Sequence, residues 1–172
     1  ETGEAVYRQA TEDMHIDELC EWIRASSSMP LVSQWVEIKG QKLLDGGLAD
    51  AIPLRFFNKQ GYERNVVILT QPRGYIKQPN ALMPLMRLVY YRHPRFVQTI
   101  AQRHEMYNAQ LRYVEAQEKA GKAFVIAPET KLPIRHITHD RQRMQRTYDI
   151  GRAQALALLP QLKAFLENET TR

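Results

Sequence analysis

Gln41-Lys42-Leu43-Leu44-Asp45-Gly46-Gly47-Leu48-Ala49-Asp50-Ala51-Ile52-Pro53 carries the clearest local signal in this chain. A short apolar run ends on a carboxylate, two glycines follow, and Pro53 restarts the chain six residues after the second of them. Strand ends deliver acids in this way. Glycine carries no Cβ, so the backbone can turn sharply and leave room for a substrate or another chain. Taken alone, Asp-Gly is also a common turn dipeptide, and Asp45-Gly46-Gly47 is then more often an ordinary turn than a site.

Immediately upstream, Trp35-Val36-Glu37-Ile38 and Gln41-Lys42-Leu43-Leu44 flank Lys39-Gly40, a two-residue link with glycine where a hairpin turn wants it. The hairpin delivers Asp45. Further back, Ile16, Leu19 and Ile23 fall at helical spacing, with Asp13 as the expected cap. That helix must stop at Ser26-Ser27-Ser28-Met29-Pro30, where three hydroxyls compete for backbone partners and Pro30 bars Met29 from the helical region. Such a stop is usually only a loop. Glu4-Ala5-Val6-Tyr7-Arg8 reads as a strand or its turn.

Downstream, Pro53 is placed to open a short helix containing Leu54, Phe56 and Phe57, with Gly61 as its left-handed terminator. Asn65-Val66-Val67-Ile68-Leu69-Thr70 is a continuous β-branched run, the mark of a strand buried on both faces of a parallel sheet covered by helices. Residues 81–91 are apolar nearly all round, which predicts a core helix. With Arg87, Arg92 and Arg95 the segment from Met83 to Tyr91 also fits an apolar, positively fringed surface facing lipid. Val97, Ile100, His104, Tyr107, Leu111 and Val114 predict a long helix closed by Gly121. On that stripe His104 reads as a hydrogen-bonded core histidine. Ala123 to Ala127 is a second strand ended by Pro128, and Thr138 or Asp140 starts a last helix in which Pro160 kinks or restarts the run. Residues 168–172 read as a frayed tail.

Composition narrows the class. The 172 residues are 44% hydrophobic and 25% charged, which is globular rather than disordered. Cys20 is the single cysteine, so no intrachain disulfide can form and a reducing compartment is the default. No run of eighteen apolar residues and no signal-peptide pattern is present, so the expected location is cytoplasmic, at most peripheral to the inner face of the membrane. The chain does not begin with Met and is expected to be part of a longer protein. A net charge of +5 favours anionic partners without requiring them. There is no G-x-S-x-G, P-loop, dinucleotide glycine pattern, C-x-x-C or H-E-x-x-H. His136-Ile137-Thr138-His139 pairs two histidines but lacks a third ligand, so no metal and no cofactor are expected.

Three blocks in order, Arg24-Ala25-Ser26-Ser27-Ser28-Met29-Pro30, then Asp45-Gly46-Gly47-Leu48-Ala49-Asp50-Ala51-Ile52-Pro53, then the Val66–Thr70 strand, resemble the second half of a patatin-like phospholipase. Glu1 to Val6 resembles that family's strand before the R-A-S-x-x-x-P loop, and Tyr148-Asp149-Ile150-Gly151 its late Y-x-x-G helix. The resemblance implies an α/β, three-layer fold with a mostly parallel central sheet covered by helices. Of this fold residues 1–80 would be the C-terminal part, and residues 81–172 a helical extension with one added strand near 123–127. It implies that Asp45 is the catalytic partner of a serine in G-x-S-x-G, without histidine. Gly46, Gly47, Arg24, Ser26 and Pro30 would complete the motif around it. A serine hydroxyl needs a base within hydrogen-bond reach, and a fixed carboxylate can serve.

Two departures accompany the likeness. The nucleophile elbow and glycine-rich oxyanion loop lie upstream of the R-A-S block in the family and are absent from these residues, so this chain alone is expected to be inactive and to need the part that carries the serine. Ala51 replaces a proline of the family's D-P-I-P, while Pro53 keeps the helix start. The leading reading is a lipid acyl hydrolase acting on phospholipid or other acyl esters. The rival is a non-catalytic module whose basic segment, Arg135 to Arg152, docks on an anionic membrane or other anionic partner. Nucleic acid is disfavoured, since Tyr148 is the only aromatic side chain there.

Overall fold

The computed structural model describes residues 2–134 and 138–167. It is α/β, with helices α1 (Ile16–Ser26), α2 (Leu54–Lys59), α3 (Met83–Val89), α4 (Pro94–Lys119) and α5 (Arg141–Glu167). Strands β1 (Val36–Ile38) and β2 (Gln41–Leu43) form an antiparallel hairpin, and β3 (Asn65–Ile68) and β4 (Ala123–Ile126) a parallel pair. Two compact units result: Glu1–Pro53 with Lys77–Leu111, and Leu54–Ile76 with Arg112–Arg172.

In the first unit the β1–β2 turn is built as its residues require. Lys39 and Gly40 both take positive φ, 51° and 76°, the conformation that matches the twist of a two-residue hairpin. The register pairs Val36 with Leu43 and Ile38 with Gln41. Val36 and Ile38 point inward and join Ala25, Trp22 and Leu43 in one small core. A second core gathers Met86, Tyr90, Phe96 and Ile100 against Trp35, Leu44 and Leu48. Its aromatic rings meet edge-on or tilted, with Trp35 and Phe96 centroids 5.1 Å apart, the arrangement ring quadrupoles favour.

In the second unit β3 and β4 pair from Asn65↔Ala123 to Ile68↔Ile126. The α5 side chain Phe165 lies 5.7 Å from Phe124, and Gln154 donates to the Ala127 carbonyl. Asn58 of α2 donates to the Tyr113 hydroxyl at 2.8 Å and to Gln117 Oε1 at 3.1 Å.

Several expectations need correction. Residues 4–8 form no strand, because among the described residues no neighbouring strand pairs with them. They are held instead by single contacts, such as the Tyr7 hydroxyl donating to Asp50 Oδ2. The α1 cap is His15, whose Nδ1 accepts from Asp17 N at 3.3 Å, since the helix begins later than Asp13 would place it. β3 pairs in parallel as expected but is not buried on both faces. Val67 is buried, whereas Val66 and Ile68, which alternation sends to the other face, are 40% and 72% exposed. Nor is residues 81–91 a core helix: α3 buries Met86 and leaves Leu82, Leu85, Leu88 and Val89 exposed. α5 runs unbroken through Pro160, with no restart. Of the two start candidates, Asp140 is the cap, its Oδ1 accepting from Gln142 and Arg143 N at 3.0 and 3.1 Å. His136 and Ile137 of the histidine pair, Arg135 and the tail 168–172 lie outside the described residues. Among the described helices none is long and apolar enough to cross a membrane.

Candidate functional site

Asp45 follows the hairpin and opens a 3-10 turn, Gly46–Leu48, that it caps with its own side chain. Oδ1 accepts from Gly47 N at 2.7 Å. The carboxylate is thereby fixed by a backbone donor two residues on, and Oδ2 is left without a hydrogen-bond partner among the described residues. Gly47 allows close approach: a Cβ there would stand 3.1 Å from Asp45 Oδ1, tighter than ordinary contact, so the carboxylate would have to shift. The turn closes through Ala49 N and Asp50 N, both donating to the Gly46 carbonyl.

The serine loop meets this turn through the main chain. Asp45 N donates to the Ser28 carbonyl at 2.8 Å, so the two motif blocks are joined by one backbone hydrogen bond. Ser27 Oγ and Ser28 Oγ turn back onto the last turn of α1, at 2.8 Å from Ile23 O and 2.7 Å from Arg24 O, the competition for backbone partners that ends a helix. Ser26 Oγ instead faces Gly46, 4.0 Å from where a Cβ would sit.

Asp45, Gly46 and Ser26 line a cavity of about 230 Å³ with Trp35, Leu48 and Phe96. Arg24 and Pro30 are not part of that lining. The Arg24 guanidinium is clamped on Glu21, with Nε to Oε1 at 3.1 Å, and this contact with the Glu21 carboxylate raises its pKa further. Pro30 holds the second place of a turn in which Val32 N reaches the Met29 carbonyl at 3.3 Å. Leu31 takes φ 66° in the third place, where glycine is usual, with its N–H on the Tyr90 hydroxyl at 2.9 Å.

Three further residues hold the acid turn, and the motifs did not point to them. Arg103 Nε donates to the Gly47 carbonyl at 2.8 Å. Gln110 Nε2 donates to Asp50 Oδ1, and Gln110 Oε1 accepts from Ile52 N at 3.0 Å. Tyr7 donates its hydroxyl hydrogen to Asp50 Oδ2; burial first, then the Asp50 carboxylate, push the Tyr7 pKa up to about 12. Arg103 and Gln110 are seven apart, on the α4 face shared by Ile100 and Tyr107, so polar residues on an otherwise apolar stripe were the available signal. On that helix His104 is a half-buried residue with Nδ1 3.0 Å from the Ala101 carbonyl.

The comparisons agree with the motif reading at the level of class. Residues 2–58 match the family model of patatin-like phospholipases. Residues 93–167 match that of a domain of unknown function, DUF6363. The chain is also 35% identical over 82 residues to "Uncharacterized protein YjjU" of Escherichia coli (strain K12). That match covers 40% of this chain and 23% of the relative's length. Arg103 and Gln110 thus lie in the segment whose family has no assigned function, and they bond to the patatin-like segment.

Proposed function

We propose that this chain supplies the acid of a Ser-Asp dyad in a lipid acyl hydrolase, with Asp45 as the base and the nucleophilic serine outside these residues. Residues 1–80 would then be the C-terminal part of a three-layer, patatin-like core with a mostly parallel sheet, and residues 81–172 its helical extension. The observation that carries the reading is the Asp45 N to Ser28 carbonyl bond, which unites the two motif blocks at a cavity while Asp45 Oδ2 stays open. In the reaction the carboxylate takes the serine Oγ–H proton as Oγ bonds to the ester carbonyl carbon, and returns it to the departing alkoxide. Water, giving its proton to the same carboxylate, then attacks the acyl carbon, the acyl C–Oγ bond breaks as the acid returns that proton to serine Oγ, and the fatty acid leaves. A cytoplasmic location belongs to the same reading.

A fluorophosphonate probe applied to the intact protein tests it. Covalent labelling of a serine within a G-x-S-x-G sequence is expected; a coding sequence without that motif upstream of Glu1 would remove the hydrolase reading.

A second reading, an anionic-surface module, is favoured by one feature of α5. Arg141, Arg146 and Arg152 make no ion pair among the described residues, whereas Arg143 Nε lies 3.1 Å from Asp140. Tyr148 and Gly151 of the Y-x-x-G segment line an open apolar groove on the same helix, with Met144 and Leu159.

A further inference from the structure

The most acid-poor part of the chain is also where its apolar side chains are most exposed. Residues 64–104 contain no Asp or Glu and seven Lys and Arg. Within them α3 turns Met86 to the core and carries Leu82, Leu85, Leu88 and Val89 on its outward side, followed by Tyr91. Leu88 and Tyr91 are 73% and 66% exposed. Leu82, Leu85 and Val89 repeat at three and four residues, so they form one stripe rather than scattered positions. Arg87, Arg92 and Arg95 stand around it, exposed and without a carboxylate partner among the described residues, and the Arg92 guanidinium lies 5.4 Å from the Tyr91 ring centre.

We propose that the α3 surface, from Leu82 to Arg95, docks on an anionic phospholipid bilayer. An apolar stripe needs a medium without hydrogen-bonding demands, while the unpaired guanidiniums at its edge need anions; the acyl and phosphate layers of a bilayer supply both at the right depths. A tyrosine at the end of the stripe suits the boundary between them. A second copy of the chain fits poorly, because a two-fold contact would bring the same three arginines against one another with no carboxylate between. The other side of α3 contributes Met86 to the core cluster of Tyr90, Phe96 and Ile100, against which Leu44 and Leu48, the neighbours of the Asp45 turn, also pack. The inference thus deepens the hydrolase reading by naming the physical form of its substrate, though its test stands apart.

Flotation of the intact protein with phosphatidylcholine vesicles, with and without phosphatidylserine, decides the matter. Binding is expected only with phosphatidylserine, weakening with salt. Leu88→Asp should reduce it at least tenfold, and each of Arg87→Glu and Arg92→Glu by about fivefold or more. Arg146→Glu on α5 should leave it unchanged, and circular dichroism should show every variant folded. Equal binding by Leu88→Asp overturns the proposal, as does loss confined to Arg146→Glu, which would move the lipid surface to α5. Self-association abolished by Leu88→Asp, without vesicle binding, also overturns it and names a second copy as the occupant. Turnover of a water-soluble ester separates the two claims: Leu88→Asp should leave it intact whichever way the flotation falls.

Discussion

Leu31 holds a backbone angle that leucine seldom adopts. Its φ of 66° places Cβ against its own carbonyl, at a cost of about 1–2 kcal/mol in L-residues. Two things hold it there: Pro30 sets the preceding angle, and the Leu31 N–H is taken by the Tyr90 hydroxyl, 59 residues away in sequence. Leu31 is 36% exposed, so most of its side chain is covered, and that burial offsets about 1 kcal/mol of the strain. Relieved strain, lost packing and the greater freedom of unfolded glycine nearly cancel, so Leu31→Gly is expected to move stability by less than about 1 kcal/mol, read from the urea midpoint. A loss of about 2 kcal/mol or more would mean that the leucine side chain holds the loop. Gly3 is the opposite case. At φ 75° a Cβ would run into Thr99 Oγ and stand 2.9 Å from the Arg95 carbonyl oxygen, so glycine is required both for its angle and for its lack of a side chain.

Among the elements, those governed by neighbours in sequence were legible and those governed by distant partners were not. The Lys39-Gly40 hairpin, the Pro53 and Gly61 bounds of α2, the Gly121 end of α4 and the Asp140 cap of α5 each follow from a local backbone demand. The strand expected at residues 4–8 failed because pairing needs a partner that no local pattern reveals. The core-helix expectation for residues 81–91 failed similarly, since an all-apolar helix does not announce which side meets the core. In α5 two residues oppose the helix from within, Pro160 and Gly151. Gly151 has a negative φ and nothing within 4 Å of a built Cβ. Gly151→Ala should therefore raise stability by about 0.5–1 kcal/mol in thermal unfolding; destabilisation would show that the groove beside Tyr148 needs the space.

For the molecule as a whole, the acid turn is the part where motif and geometry coincide. Asp45 and its glycines were readable because short motifs fix local chemistry. The Arg103 and Gln110 contacts, 56 and 60 residues from their partners in sequence, were not. These contacts give the segment of unassigned function a physical tie to the patatin-like one: a guanidinium holds the Gly47 carbonyl and an amide holds both Asp50 and the Ile52 N–H. The role of Asp45 as the base is decided by the turnover of a water-soluble acyl ester by the intact protein and by its Asp45→Asn variant. That change keeps the shape and the acceptor for Gly47 N but removes the proton acceptor, so kcat should fall by about a hundredfold to ten-thousandfold with the fold unaltered. Undiminished turnover in Asp45→Asn would contradict the account.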